Sequence, residues 1–303
     1  IADDDIVWMP TAKMAEIDGL GRALRARGAR PFVAACFHHA VPPDAALDPG
    51  TVAGLLARLG LRALDRAVAP RAPLVTATTA GLAGRLAPIL GRAVPVLSLP
   101  HWYDPLPGED ATPPPLPPGA GPLVGLLGRP RPDKGLRAVP AILAAIRAAV
   151  PTARIVAQDY DRRYGVVPAY EAARAAGLVH SLAWPLPDAA FIGLVRALDL
   201  VLLPYQAHAF VDRVSGPFCF AAALGRPVAV TAGTWMAGEI AAGRAAGVAF
   251  PSLEPGPVAH AVARAVAELP VHAARAAALA PPWRRNDGAR LLRELLERAA
   301  AAA

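Results

Sequence analysis

The chain has 303 residues, a formal net charge of +7 and 54% hydrophobic residues, enough for two domains that each bury a core. Arg, Pro or Gly interrupts the apolar runs well short of bilayer-spanning length, so the chain reads as soluble, and two cysteines, Cys36 and Cys219, exclude a disulfide framework and suit a reducing cytoplasm. The arginines are spread through Ala-rich stretches such as "GRALRARGAR" with no nucleic-acid module among them, which assigns the charge to an Ala, Arg, Pro and Gly bias and not to a nucleic-acid partner; peripheral contact with a membrane surface stays open.

In chain order, "DIVWMP" (5–10), "PFVAACF" (31–37), "PLVTATT" (73–79) and "VPVLSLP" (94–100) read as strands, with apolar residues at helical spacing over 13–27, 50–69 and 79–90 between them. Residues 1 to 8 lack the basic start and long apolar core of a signal peptide. In "YDPLPGEDATPPPLPPGAGP" (103–122) proline is too dense for a helix or a central strand, and this stretch is expected to be a linker. Strands are then expected at 122–127, 153–158, 178–183, 199–203, 227–231 and 247–250. Helices fit at 134–149, 166–176, 187–197, 215–224, 234–243 and 255–268, and a last one from about Arg284 to the end. Strand and helix alternating in this way implies α/β units with parallel sheets and helices on both faces.

Ligands of such sheets bind outside the carboxyl ends of the strands, so the loops that follow strands carry the information. "GLLGRPRPDKG" leaves one strand, turns on Gly128 and is expected to start a helix at about Lys134, one of only two lysines among 31 basic residues. Arg129 and Lys134 near a helix N-terminus make sense when an anion lies between them and the helix end. A second loop, after "LDLVLLPY", carries Arg213 and then Ser215 and Gly216, which cap the next helix and offer its amides to a phosphate. Each loop also has a plain structural reading, a solvated turn and an ordinary N-cap followed by proline.

Taken in order and spacing, "GLLGRPRPDKGL", "ALDLVLLPY" and "AAALGRPVAV" resemble the donor-binding domain of GT-B glycosyltransferases related to glycosyltransferase family 4. The resemblance covers about residues 121–270 and implies two Rossmann-like domains with an interdomain cleft. It implies a nucleotide diphosphate sugar as donor substrate, whose diphosphate is gripped by Arg129 and Lys134, and no metal or other cofactor. The first hundred residues fit only the later half of an acceptor domain, so a further half-domain is expected before Ile1. The corresponding boundaries are a partial first domain at 1–104, the linker at 105–120, the nucleotide-sugar domain at 121–280 and a terminal helix at 281–303.

The sequence also departs from that family. Of its two glutamates eight positions apart, the first falls on Asp212 and the second on Phe220, which cannot bind a ribose hydroxyl. The "RVSG" stretch resembles a divergent bacterial branch in which Arg213, Ser215 and Gly216 share the work. Glu239 in "TAGTWMAGEI" matches a family position near the donor, and Thr234 caps its helix. In "CFHHA", His38 or His39 is a candidate to hydrogen-bond the reacting sugar, and His101 and Trp102 in "LPHWYDP" are candidates at the hinge.

The catalytic set is therefore Arg129, Lys134, Asp212 and His38, and the donor-binding set is Gly128, Arg129, Lys134, Arg213, Ser215, Gly216 and Glu239. The expected function is sugar transfer to a glycan or lipid-linked acceptor in bacterial polysaccharide or glycoconjugate synthesis, retaining and metal-independent, in the cytoplasm or at the inner face of the membrane. The alternatives are an inactive nucleotide-sugar-binding or partner subunit, and a 2-epimerase, for which no convincing pair of carboxylates is found.

Overall fold

The structure is a computed structural model that describes residues 1–9, 12, 14–38, 52–69, 73–91, 93–96, 111–129, 131–159, 167–183, 185–284, 293–294, 296–297 and 300–301. Its contacts divide the chain into two units. One comprises Ile1–Pro100 with Asp212–Val214 and Asp287–Ala303; the other comprises His101–Val211 and Ser215–Asn286.

In the first unit, β1 (Ile6–Met9), β2 (Phe32–Phe37) and β3 (Leu74–Ala77) form a parallel sheet in that order. All six residues of β2 are buried, as expected of a strand flanked on both sides and covered on both faces. The helices α1 (Met14–Arg27), α2 (Val52–Val68) and α3 (Ala80–Leu90) follow the strands in turn. Thr79 ends the strand segment and caps α3, its hydroxyl accepting from the Leu82 amide at 3.1 Å; such a cap is worth about 1 kcal/mol. The expected strand at 94–100 is reduced to one parallel bridge, Ala77 to Val96, and 97–100 lie outside the described residues.

The second unit holds six parallel strands, β4 (Leu123–Leu126), β5 (Arg154–Gln158), β6 (His180–Leu182), β7 (Leu200–Leu203), β8 (Val228–Thr231) and β9 (Gly247–Phe250). Their order is β6-β5-β4-β7-β8-β9. The chain therefore winds outward from β4 to β6, returns to pair β7 with β4 (Val124 opposite Leu200), and winds outward the other way.

Alternation along the strands feeds two cores. Val124, Leu126, Leu200 and Leu202 face one, with α4 (Val139–Ala149), α5 (Pro168–Ala175) and α10 (Pro255–Ala267). Leu123, Val201 and Leu203 face the other, with α6 (Asp188–Ala197), α7 (Ala207–Phe210), α8 (Gly216–Ala223) and α9 (Trp235–Ala241). Because α4 and α8 lie on opposite faces, the loops that lead to them diverge at the carboxyl edge between β4 and β7, and a doubly wound sheet opens its ligand crevice at that switch point.

Two further segments differ from the sequence expectation. The residues after β4 do not open a helix at Lys134. Pro132–Lys134 form one 3-10 turn that Gly135 closes at φ 76°, and α4 begins only at Val139. The helix expected from Arg284 is preceded by α11 (Leu269–Arg284), which runs through Pro281 and Pro282. Proline removes a helical hydrogen bond, but packing retains the helix: Ala276 and Ala280 are buried, and the Trp283 ring meets Phe218 and Trp235 edge-on at 5.7 and 6.4 Å. Part of the Pro-rich stretch is packed along the second unit. Arg154 donates to the carbonyls of Pro117 at 3.1 Å and Gly121 at 2.8 Å, and Leu116 lies against the core. The part before Ala111 lies outside the described residues.

Candidate functional site

The carboxyl edge between β4 and β7 is built from two loops that hold each other. The Gln206 amide donates to the Asp133 carbonyl and its side-chain nitrogen to the Pro132 carbonyl, both at 2.9 Å. Gly135 sits so close to the Pro204 carbonyl that a Cβ there would collide with it. Beyond β4 the chain turns at Gly128, whose φ of 80° favours glycine.

Gln158, the last residue of β5, fixes that turn. It is buried, and its Oε1 accepts from the Gly128 amide at 2.9 Å. Tyr205, just past β7, fixes the residue before the turn by donating its hydroxyl to the Leu127 carbonyl at 3.0 Å. The Lys134 ammonium then lies over the Tyr205 ring, 5.0 Å from its centroid. A Cβ built on Gly128 would stand 2.6 Å from Lys134 Nζ, 3.0 Å from Pro217 Cγ and 3.1 Å from the Tyr205 hydroxyl. The glycine turn, the lysine and the first turn of α8 thus converge on one spot.

Ser215 caps α8 as expected from its sequence, its hydroxyl accepting from the Phe218 amide at 3.3 Å. Beside Gly216 the space is open, with no atom within 4 Å of a Cβ placed there. A cation, a tight glycine turn and a capped helix start with free space beside it form a constellation suited to an anion, since the helix dipole and the ammonium act in the same direction.

The other expected residues distribute as follows. Arg129 follows the turn directly and is half-buried. Glu239 is buried in α9, with both carboxylate oxygens accepting from Arg244 at 2.6 and 2.8 Å; this hydrogen-bonded pairing pushes the Arg244 guanidinium pKa up. Cys219 in α8 is buried, and burial, reinforced by the charge of Glu239, pushes its thiol up to about 12. Thr234 caps α9 as expected, accepting from the Ala237 amide at 3.2 Å.

Phe220, standing where the resembled family carries a glutamate, is buried and packs edge-on against Phe191 at 5.3 Å. That position is a core position here, which accounts for the apolar residue.

Asp212 and Arg213 group with the first unit. Asp212 is paired with Arg85 at 2.5 Å, and its carbonyl accepts from the Thr79 hydroxyl at 2.7 Å. His38, half-buried, follows β2 at the carboxyl edge of the same sheet. His39, His101 and Trp102 lie outside the described residues.

Gln158 and Tyr205 were not singled out from sequence. Their signal was a polar residue closing the apolar run "RIVAQ" and a tyrosine just past "LVLLP". Among the described residues, no group of three His, Cys, Asp or Glu side chains is placed to hold a metal ion, and no helix is long and apolar enough to cross a membrane.

No protein-family model and no curated protein matches the chain. Solved structures do. Anabaena HepE, crystallised in complex with UDP-glucose, superposes with a TM-score of 0.68 at 16% identity, over 98% of this chain and 79% of that one. The α,α-trehalose 6-phosphate synthase of Burkholderia multivorans gives a TM-score of 0.68 at 15% identity, over 100% and 74%. Sucrose-phosphate synthase of Thermosynechococcus elongatus gives 0.65 at 16%, over 98% and 74%. These are GT-B glycosyltransferases, and at such identities the likeness defines the fold: Rossmann-like α/β architecture with parallel sheets, of the GT-B class.

Proposed function

We propose that the chain is a glycosyltransferase that takes its sugar from a nucleotide diphosphate sugar, with the diphosphate seated between the β4 and β7 loops. The observation that carries this reading is the convergence of Gly128, Lys134 and the first turn of α8 at the switch point, where Lys134 Nζ would come within 2.6 Å of a Gly128 Cβ. Lys134 and Arg129 stabilise the negative charge that grows on the leaving diphosphate as the glycosidic bond breaks, a role that a fixed cation fills without a metal ion. The amides that follow Ser215 bind the same group.

The nucleotide-sugar domain is taken as 121–280, and the first unit, with His38 and Asp212 at the carboxyl edge of its sheet, is assigned to a glycan or lipid-linked acceptor. Retention of configuration, a place in bacterial polysaccharide or glycoconjugate assembly, and a cytoplasmic location with peripheral membrane contact complete the reading. The UDP-glucose bound to Anabaena HepE makes UDP the first nucleotide to test.

A second reading is favoured by Phe220. Its ring fills the core where the resembled family places a ribose-binding carboxylate, which suits a subunit that binds nucleotide sugar without transferring it.

The test is a thermal-shift panel of UDP-, GDP-, ADP- and TDP-sugars on the intact chain beside Lys134→Ala. A ligand at about a hundred times its dissociation constant adds about 2.7 kcal/mol of stability. Stabilisation by one nucleotide class, lost in the variant, is the expected result; equal stabilisation of both proteins would overturn the phosphate assignment. Donor hydrolysis or transfer then separates the enzyme from the binding subunit.

A further inference from the structure

A cavity in the second unit lies at the amino edge of its sheet, at the opposite ends of the strands from the β4 and β7 loops. It encloses about 660 Å³. Its walls are the starts of β5 and β6, the C-terminal ends of α4 and α5, and the Pro-rich segment from Pro117 to Gly121. Arg147, Arg154, Arg174 and His180 line it, and among the described residues no aspartate or glutamate does.

The state of each basic group matters. Arg154 spends its Nε on the Gly121 carbonyl and one Nη on the Pro117 carbonyl, so two uncharged acceptors fix the guanidinium. Among the described residues Arg147 reaches only the Pro151 carbonyl, at 3.4 Å, and its Nε is buried with no hydrogen-bond partner. Arg174 shares the carboxylates of Asp159 and Glu171 from 3.7 and 3.8 Å, both beyond hydrogen-bonding distance. His180 Nε2 is 3.1 Å from the Pro115 carbonyl, which adds an imidazole contact to the Pro-rich segment beside the two from Arg154. Guanidinium groups gathered in one concavity repel one another, and an anion between them relieves that repulsion while filling the remaining N–H donors.

We propose that this cavity is an anion site, separate from the nucleotide site, that takes a small phosphate ester. Arg147 and Arg174 contact the phosphate from the helix ends, and Arg154 holds both the phosphate and the Pro-rich wall. The volume falls in the range of small-molecule pockets, and donors converging from three guanidinium groups suit a doubly charged tetrahedral anion better than a monocarboxylate. The proposal does not rest on the glycosyltransferase reading.

Isothermal titration with inorganic pyrophosphate tests it on three proteins: the intact chain, Lys134→Ala, and the double variant Arg147→Gln with Arg174→Gln. Both substituted arginines lie at helix ends without a hydrogen-bonded carboxylate, and unchanged thermal melts confirm that the variant is folded. Lys134→Ala is expected to keep a pyrophosphate site that the double variant lacks. Loss of a charge-assisted hydrogen bond lowers affinity about tenfold or more, and Arg147→Lys with Arg174→Lys recovers part of it. Pyrophosphate binding identical in the intact chain and the Arg147/Arg174 double variant would overturn the proposal, and so would the absence of any binding in Lys134→Ala. Sedimentation with phosphatidylcholine vesicles doped with phosphatidic acid identifies the source: arginine-dependent sedimentation places the phosphate on a lipid headgroup, and pyrophosphate binding without sedimentation places it on a soluble ester.

Discussion

Replacing Gly216 with alanine separates ligand binding from folding at the proposed phosphate site. Gly216 is the first residue of α8, its φ lies outside the left-handed region, and a Cβ there meets nothing within 4 Å. The folded protein therefore has room for the methyl group, while the unfolded chain loses backbone freedom, so stability rises by roughly 0.4–1 kcal/mol. For a unit of this size that corresponds to about 1–4 °C in melting temperature. A phosphate oxygen that bonds an amide at this helix start needs the same space. Displacing it removes at least one hydrogen bond to a charged group, about 1.5–3 kcal/mol, or about a 10- to 150-fold loss of affinity. Calorimetric titration of the stabilising nucleotide diphosphate, with a thermal scan of each protein, reads both quantities. A variant that is as stable as the wild type or more so, but binds weakly, is the expected outcome. Affinity within about twofold of the wild type would refute the placement of the diphosphate on Gly216.

Gly128→Ala is expected to act on both quantities. The left-handed φ of 80° costs an alanine roughly 1–2 kcal/mol, and its methyl group displaces Lys134 Nζ and presses on Pro217, so denaturant midpoint and donor affinity fall together. Gln158→Leu keeps the bulk of the side chain but strands the Gly128 amide, at a cost of about 1–3 kcal/mol by denaturant titration; an unchanged midpoint would mean that the amide has another acceptor. Cys219 gives a pH signature. Its native thiol is raised to about 12 from an ordinary value of 9.0, so the unfolded chain releases this proton first as pH rises. The stabilising contribution is complete below pH 9 and is lost as pH rises through the native value, at up to about 1.4 kcal/mol per pH unit. Cys219→Ala should show a shallower alkaline loss of stability, and parallel profiles for the two proteins would contradict the burial argument.

Sequence determined the alternation of strands and helices, because buried parallel strands must be short apolar runs and their covering helices must repeat their apolar positions every three or four residues. It also marked Ser215 and Thr234 as caps, since capping depends on a residue and the amides two or three positions later. The glycine at 128 and the lysine at 134 were legible as a turn and a cation for the same local reason. Strand order was not legible, because which strand lies beside β4 is decided by how α4 and α8 cover opposite faces of the finished sheet. Nor were the parts played by Gln158 and Tyr205, whose partners Gly128 and Leu127 are 30 and 78 residues away in the chain. The helix through Pro281 and Pro282 exists only because Ala276, Ala280 and Trp283 find buried partners, and the pairing of Glu239 with Arg244 requires the loop after α9 to fold back on the helix. Local chemistry is written in adjacent residues, whereas the meeting of two loops at one edge is a property of the closed sheet, and tertiary packing alone brought Lys134, Gly128 and the start of α8 to the same place.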